Sequence, residues 1–476
     1  MANNPVVQPK TSIAGKYLTV LTAGLISGVL TIAMGCAFAA LIFSGPLSGY
    51  VSSGITLILF GALIIGIVTT SRSSYAGTVA RPHEIPAAVI ALIASSITAQ
   101  MAGHSAGEGA FVTVIASIMV ASVATGLFFL CLGYLKAGNL IRFVPYPVIG
   151  GFLAGTGLLL VKGGFGVMAD QALTMSSISS FATGPLLIKW LPGVVFALVL
   201  FFALRWRNHY LVMPVWLFIS FGIFYSIVGI AGISLPEVRS QGWVIGSFEG
   251  GGDFSLSIAS LSHVDWALVA AQTGKISTII ILSCISLLLN ASGLEFVVKE
   301  EVDLNRELRA TGLANLLSGF AGSTVGFHSL SLSALGYSMG AKSRMVGIFS
   351  ALLCGSIIFL GGSLLAYFPR PIMGGVLVFL GLTFLYEWLY QTWFKLPKID
   401  CVLILLILVV IGMFGFLQGV ALGMLVAIVI FVVKYSHVSV VKHRLTGLNF
   451  RSNVDRAAPQ EAVLAEKGDS LYILKL

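Results

Sequence analysis

Apolar runs of roughly 18 to 25 residues recur along this chain from Leu18 to Val433, each long enough to cross a bilayer as a helix. In hydrocarbon every backbone N–H and C=O must be satisfied internally, which leaves helices and closed barrels as the only spanning forms. Runs of this length suit helices, so an all-α polytopic membrane protein is expected. Composition agrees: 9% of the residues are charged and mean hydropathy is +0.99, where a soluble domain carries about 25% charge. The 54 glycines fit closely packed spans.

The expected spans lie near 18–42, 50–69, 78–100, 110–135, 145–168, 186–204 and 211–230, then near 264–292, 305–322, 328–340, 345–367, 371–392, 400–414 and 417–435. That is about fourteen, in two groups of about seven. The domain reading follows: a cytoplasmic tail at 1–17, a first repeat at 18–230, an extracellular polar loop at 231–263, a second repeat at 264–435, and a cytoplasmic segment at 436–476. The polar start leads straight into the first span, so no cleavable signal is expected.

Charge supports the topology. With the N-terminus in the cytoplasm, Lys10, Lys16, Arg72, Lys136, Arg142, Arg205, Arg207, Lys299, Arg306, Arg309, Lys342, Arg344, Lys395, Lys398, Lys434, Lys442 and Arg444 fall inside. Only Lys162, Lys189, Arg239 and Arg370 fall outside, a positive-inside bias that one missed span would scramble. The net charge of +9 is a consequence of this topology, and no nucleic-acid partner is expected. Cys36, Cys131, Cys284, Cys354 and Cys401 sit singly in apolar runs and read as small buried hydrophobes. No metal or cofactor is expected.

Two stretches break the apolar pattern. Residues 326–333, Gly-Phe-His-Ser-Leu-Ser-Leu-Ser, are too polar for a lipid-facing helix. Polar or irregular backbone at this depth needs cover from protein or a water-filled cavity. An odd number of spans per half makes the halves run in opposite senses, the pattern of inverted repeats with a site near the midplane. The counterpart in the first half is 71–88, SRSSYAGTVARPHEIPAA, also polar and broken, with Pro82 and Pro86 expected in the early turns of a helix. Spans 3 and 10 are therefore expected to be half-helices whose N-terminal ends, with free N–H groups and positive dipole ends, face each other.

With both stretches placed, the chain resembles the SulP family of inorganic-anion transporters. Ala37-Phe38-Ala39 resembles the family's first-span motif, and the run from Ser71-Arg72 to Ala80 its approach to the third span. Residues 142–155, RFVPYPVIGGFLAG, follow its fifth-span signature. Asn305-Arg306-Glu307-Leu308, Gly312-Leu313-Ala314-Asn315 and Ser318-Gly319 match the ninth, and 329–347 track the tenth through Ser333-Ala334, Gly340-Ala341 and Arg344. The resemblance implies a core domain (spans 1–4 and 8–11) moving against a gate domain (spans 5–7 and 12–14), a homodimer, and a cytoplasmic STAS domain. Residues 468–476 resemble the first strand of that domain, which the sequence would hold only in part.

The resemblance also implies a substrate site of Phe38, Gly77, Thr78, Val79, Ala80, His328, Ser329, Leu330 and Ser331. Two departures stand out. Leu332 occupies the position of a family arginine, and Ser286, with Asn290 one turn later on the same face, that of a carboxylate in the eighth span. Ionisable groups at membrane depth are costly and mark function, so Arg81 joins the site, with Glu84, His83, Ser286 and Asn290 as coupling candidates. Arg81 either supplies the charge that Leu332 lacks or pairs with Glu84 to hold a kinked helix start. His328 either donates to substrate or caps a turn; Ser329 and Ser331 either contact an anion or back-bond within the helix. Lys275 reads as a snorkelling lysine, and Tyr386, Trp388, Tyr390 and Trp393 as an interfacial belt.

The expected function is secondary active transport of a small inorganic anion or carboxylate (sulfate, bicarbonate, chloride or dicarboxylate type), by an elevator-like movement coupled to H+ or Na+ or by exchange. No phosphate-cradling loop of Walker type is present, and no catalytic pair points to an enzyme. A nucleobase-type proton symporter of the same fold, or a channel-like or sensory protein, are the alternatives. The expected setting is a cell inner or plasma membrane, with lipid around it and both termini cytoplasmic.

Overall fold

The computed structural model describes residues 13–101, 107–139, 146–171, 173, 177–207, 209, 211–246, 262–360, 362–436, 443–448, 450, 454–470 and 472–475. Each expected span has its helix: α1 Ile13–Ile42, α2 Val51–Arg72, α3 Glu84–Gln100, α4 Glu108–Tyr134, α5 Tyr146–Ala169, α6 Gly184–Trp206 and α7 Val212–Ile230. The second half gives α8 Thr273–Val298, α9 Leu304–Phe320, α10 Leu330–Ser338, α11 Met345–Leu360, α12 Arg370–Leu385, α13 Lys398–Phe414 and α14 Phe416–Ser436. Among the described residues, 8 helical stretches are long and apolar enough to cross a membrane unaided, while Glu84–Gln100 is a shorter apolar helix. Two short strands, β1 Ala80–Pro82 and β2 Gly326–His328, precede α3 and α10.

Packing is reciprocal between the halves. α4 packs on α9 as α11 does on α2; α1 on α11 as α8 on α4; α6 on α12 as α13 on α5. The pairs α2–α9, α5–α12 and β1–β2 map onto themselves. An antiparallel two-fold relation between α1–α6 and α8–α13 reproduces every one of these pairs, the pattern of an inverted repeat. Contacts are densest within two groups, α1–α4 with α8–α11, and α5–α6 with α12–α13. α1 is the centre of the first: 83% of its spanning window is buried, against 11% for α7, whose apolar sides suit lipid.

Three expectations change. The third span does not begin as a helix near residue 78: Arg81 and Pro82 lie in β1, His83 is the N-cap, and the helix starts at Glu84. Proline has no N–H and pushes the residue before it out of helical conformation, so Arg81–Pro82 is extended and only Pro86 falls in an early helical turn. The polar loop at 231–263 contains a helix, Leu235–Ser240, and Val244 bridges to Pro369; residues 247–261 lie outside the described residues. Cys131 is exposed on α4, while Cys36, Cys284, Cys354 and Cys401 are buried.

The chain divides into two compact units, Met1–Ala421 and Leu422–Leu476. In the second, β3 His443–Thr446 pairs antiparallel with β4 Tyr472–Lys475, and α15 Ala458–Lys467 lies between them in sequence. The strand expected near the end of the chain is β4.

Candidate functional site

The two broken stretches meet. β1 and β2 pair antiparallel in the register Ala80 with His328, Arg81 with Phe327 and Pro82 with Gly326. The ladder runs past both ends: Ser329 N donates to Val79 O at 2.8 Å, and His83 N to Val325 O at 3.2 Å. Val79 N donates to Ser333 Oγ at 3.0 Å, tying the first stretch to α10. Gly326 is required here, because a Cβ on it would sit 2.5 Å from the Arg81 carbonyl oxygen. Asn315 on α9 fixes the strand: its Nδ2 donates to Gly326 O at 2.7 Å and its Oδ1 accepts from Gly326 N at 2.8 Å.

From this bridge the two helices start in opposite directions. α3 is N-capped by His83 and α10 by Ser329, and neither makes a side-chain cap hydrogen bond. Pro86 carries no N–H, so the first turn of α3 has fewer donors to offer than that of α10.

Beside the bridge is a dense set of buried ionisable groups. Arg81 Nη1 donates to Pro82 O at 2.9 Å and Nη2 to Glu84 Oε2 at 3.2 Å, with both residues buried. His83 Nδ1 lies 3.2 Å from the same Glu84 oxygen. Its ring stacks on Phe327, centroids 3.9 Å apart and planes at 11°. On the other side of β2, Glu307 on α9 accepts at Oε1 from Ser73 Oγ at 2.9 Å, Ser74 N at 2.7 Å and Ser74 Oγ at 2.7 Å. Its Oε2 has no hydrogen-bond partner among the described residues and lies 3.9 Å from His328 Nδ1.

Of the residues expected in the site, the structure draws together Val79, Ala80, Arg81, His83, Glu84, His328 and Ser329 on the bridge and its flanks. Asn290 on α8 joins them, with Nδ2 donating to His328 O at 3.4 Å. Ser286 is buried one turn before it. Ser331 is exposed, and its Oγ lies 3.1 Å from Ser329 Oγ. Phe38 is fully buried on α1. Other side chains are committed elsewhere: Thr78 Oγ1 bonds Ser73 Oγ at 2.7 Å and Tyr75 O at 2.9 Å, Gly77 lies under the Tyr75 ring, and Leu330 packs with Tyr75, Leu294 and Val298. Leu332 belongs to an apolar cluster with Ala23, Leu30, Val79 and Val346, where a cation would be costly.

Glu307 is the site residue that sequence reading passed over. It sits in an Asn-Arg-Glu-Leu run flanked by Arg306 and Arg309, which looks like a cytoplasmic edge, yet it is 2% exposed. Outside the bridge, a cavity of about 510 Å³ opens between Val89, Leu92 and Ser96 on α3, Lys275 and Thr278 on α8, and Gln418. Lys275 Nζ is held by Gln272 Oε1 at 2.7 Å beside it.

Fold and site together define a polytopic helical membrane protein of inverted-repeat build, with two half-helices meeting over a buried charged cluster. Residues 18–407 match the model of the sulfate permease family, and the chain belongs to that family. The vacuolar basic amino acid transporter VSB1 of Saccharomyces cerevisiae is 26% identical over 98% of this chain and 46% of its own length. The chain spans about half the length of the curated relatives it matches. The solved transmembrane domain of the cyanobacterial bicarbonate transporter BicA superposes with a TM-score of 0.62 at 19% identity, covering 87% of this chain and 97% of that one. The murine Solute Carrier 26 family member A9 anion transporter gives 0.68 at 18% identity, covering 95% and 74%. At these identities the structures speak for the fold alone.

Proposed function

We propose that the chain is the membrane part of a secondary active transporter that carries a small inorganic anion or a carboxylate between the α3 and α10 helix starts. The observation that carries this reading is the pair of uncapped helix N-termini facing each other across the β1–β2 bridge. The two positive dipole ends, with the first-turn N–H groups of α10, favour a negative group. In this reading Phe38 forms a wall, the backbone of 77–81 and 328–331 with the Ser329 and Ser331 hydroxyls contacts the anion, and Arg81 adds charge. Ser286, Asn290, His83 and Glu84 serve coupling to H+ or Na+. The α1–α4/α8–α11 group moves as a core against the α5–α7/α12–α14 gate in a homodimer. Both termini face the cytoplasm of a cell inner or plasma membrane.

A second reading has its own support. Arg81 is already offset by Glu84, Leu332 is buried in apolar surroundings, and a relative covering 98% of the chain is named a basic amino acid transporter. A basic amino acid would place its α-carboxylate at the same helix starts and its cation toward the buried carboxylates. Uptake into proteoliposomes decides between them. Sulfate, bicarbonate, chloride, nitrate, a dicarboxylate, uracil, arginine and lysine are each tested with and without proton or sodium gradients. Saturable uptake of an anion supports the first reading. Uptake confined to arginine and lysine replaces it with the second, and uptake of none of them removes both.

A further inference from the structure

We propose that Glu307 and the His328 ring form a proton-binding site, distinct from the 328–331 backbone that contacts substrate, through which the transporter is coupled to a proton gradient. The proposal rests on the transport reading above and on a geometry that reading does not use. Both side chains are almost completely buried, at 2% and 1% exposure. Glu307 Oε2 and His328 Nδ1 lack hydrogen-bond partners among the described residues and lie 3.9 Å apart. Two orphaned polar groups facing each other in a buried site are each costly. One proton on Oε2, donated toward Nδ1 after the two approach to hydrogen-bond distance, satisfies both.

The surrounding charges single out this pair. Glu84, the other buried carboxylate at the bridge, is matched by the Arg81 guanidinium at 3.2 Å. All three donors to Glu307 Oε1 are neutral hydroxyls and an amide. The charged and titratable groups on adjoining elements are engaged elsewhere or sit apart. Arg344 at the start of α11 donates to the Thr70 and Ser73 carbonyls, and Arg306 to Arg72 O at 2.8 Å. Arg309 lies over the Tyr134 ring of α4, which also carries Glu108 and Cys131. Tyr75 lies in the 73–79 segment, Lys275, Cys284 and Glu295 on α8, and His83 stacks on Phe327 across β2. Among the described residues, the one ion-pair contact of Glu307 is with His328. The step is a simple proton balance: one proton is taken up by the pair from one side of the membrane and released on the other in each solute cycle.

The test uses the whole chain in proteoliposomes with a trapped pH-sensitive dye, and sulfate and arginine as separate probes. Wild-type protein should move protons when it moves its solute. Glu307→Gln should keep solute counterflow, which needs no gradient, and lose accumulation driven by one pH unit, about tenfold per coupled proton. Glu307→Ala should lose the same accumulation and serves if Glu307→Gln does not fold. If neither variant folds, pH-difference infrared spectra of the wild type decide, by a buried carboxyl that protonates as solute is taken up. Solute movement without proton flux, accumulation undiminished in a folded variant, or no such carboxyl band overturns the proposal. Failure of the wild type to carry either probe or any solute of the panel above removes the transport reading, and the coupling site with it.

Discussion

Arg81 is held in an extended strand by Pro82, and its guanidinium then reaches Glu84 at the first helical position. Removing one partner of a buried pair leaves an uncompensated charge at a cost of about 3–5 kcal/mol. Arg81→Ala should therefore lower thermal stability in detergent sharply, while Arg81→Met with Glu84→Met should recover most of the loss. Unchanged uptake and affinity in Arg81→Ala would remove Arg81 from the substrate site. Asn315 makes a second residue-scale prediction. Its side chain satisfies both backbone groups of Gly326, and each buried group left unpaired costs about 1–3 kcal/mol. Asn315→Ala should destabilise by roughly that amount per group and reduce uptake more than Asn315→Asp, which keeps the acceptor; melting curves and initial rates measure this. At this scale the sequence was informative where a residue broke an apolar pattern, as Arg81, His83 and Glu84 do. It was silent on Glu307, because flanking arginines give a buried acid and a solvated one the same local appearance.

Between elements, small residues set how close the backbones come. A Cβ on Gly126 of α4 would lie 2.6 Å from Leu316 N, and one on Gly312 of α9 would lie 2.8 Å from Leu130 N. These are backbone contacts that cannot swing aside, so Gly126→Leu and Gly312→Leu should each separate α4 from α9. Overpacking typically costs about 1–3 kcal/mol, and loss of the monodisperse species in size-exclusion chromatography would register it. Gly326→Ala acts on the bridge itself, and should reduce transport while leaving α4–α9 packing intact. Helix existence is readable from hydropathy, while α3 starts about six residues later than the apolar pattern indicates, because boundaries depend on local competition among prolines, caps and strand partners. β1 and β2 carry no signal of their own. A pair of three-residue strands forms only because the folded helices bring the two stretches together.

At the scale of the whole molecule, the α1–α4/α8–α11 and α5–α6/α12–α13 groups are each tightly packed, and the 510 Å³ cavity lies between α3 and α8 of one and Gln418 beyond α13. A core that slides against a gate must change this cavity. Leu92→Cys with Gln418→Cys, joined by a reducible bifunctional crosslinker, should stop uptake in proteoliposomes and release it on reduction; full uptake while crosslinked would count against relative movement there. Hydropathy and charge asymmetry alone determined that the chain is a polytopic helical membrane protein and that its halves are inverted. They can do so because the bilayer acts on each segment separately: a helix satisfies its own backbone, and length and side-chain polarity then decide whether it spans. Tertiary structure alone decided that Leu332 faces an apolar cluster and that Glu307 points its free oxygen at His328. Those outcomes depend on which faces of distant segments touch, and that is settled by packing across the two-fold axis, where sequence neighbours have no part.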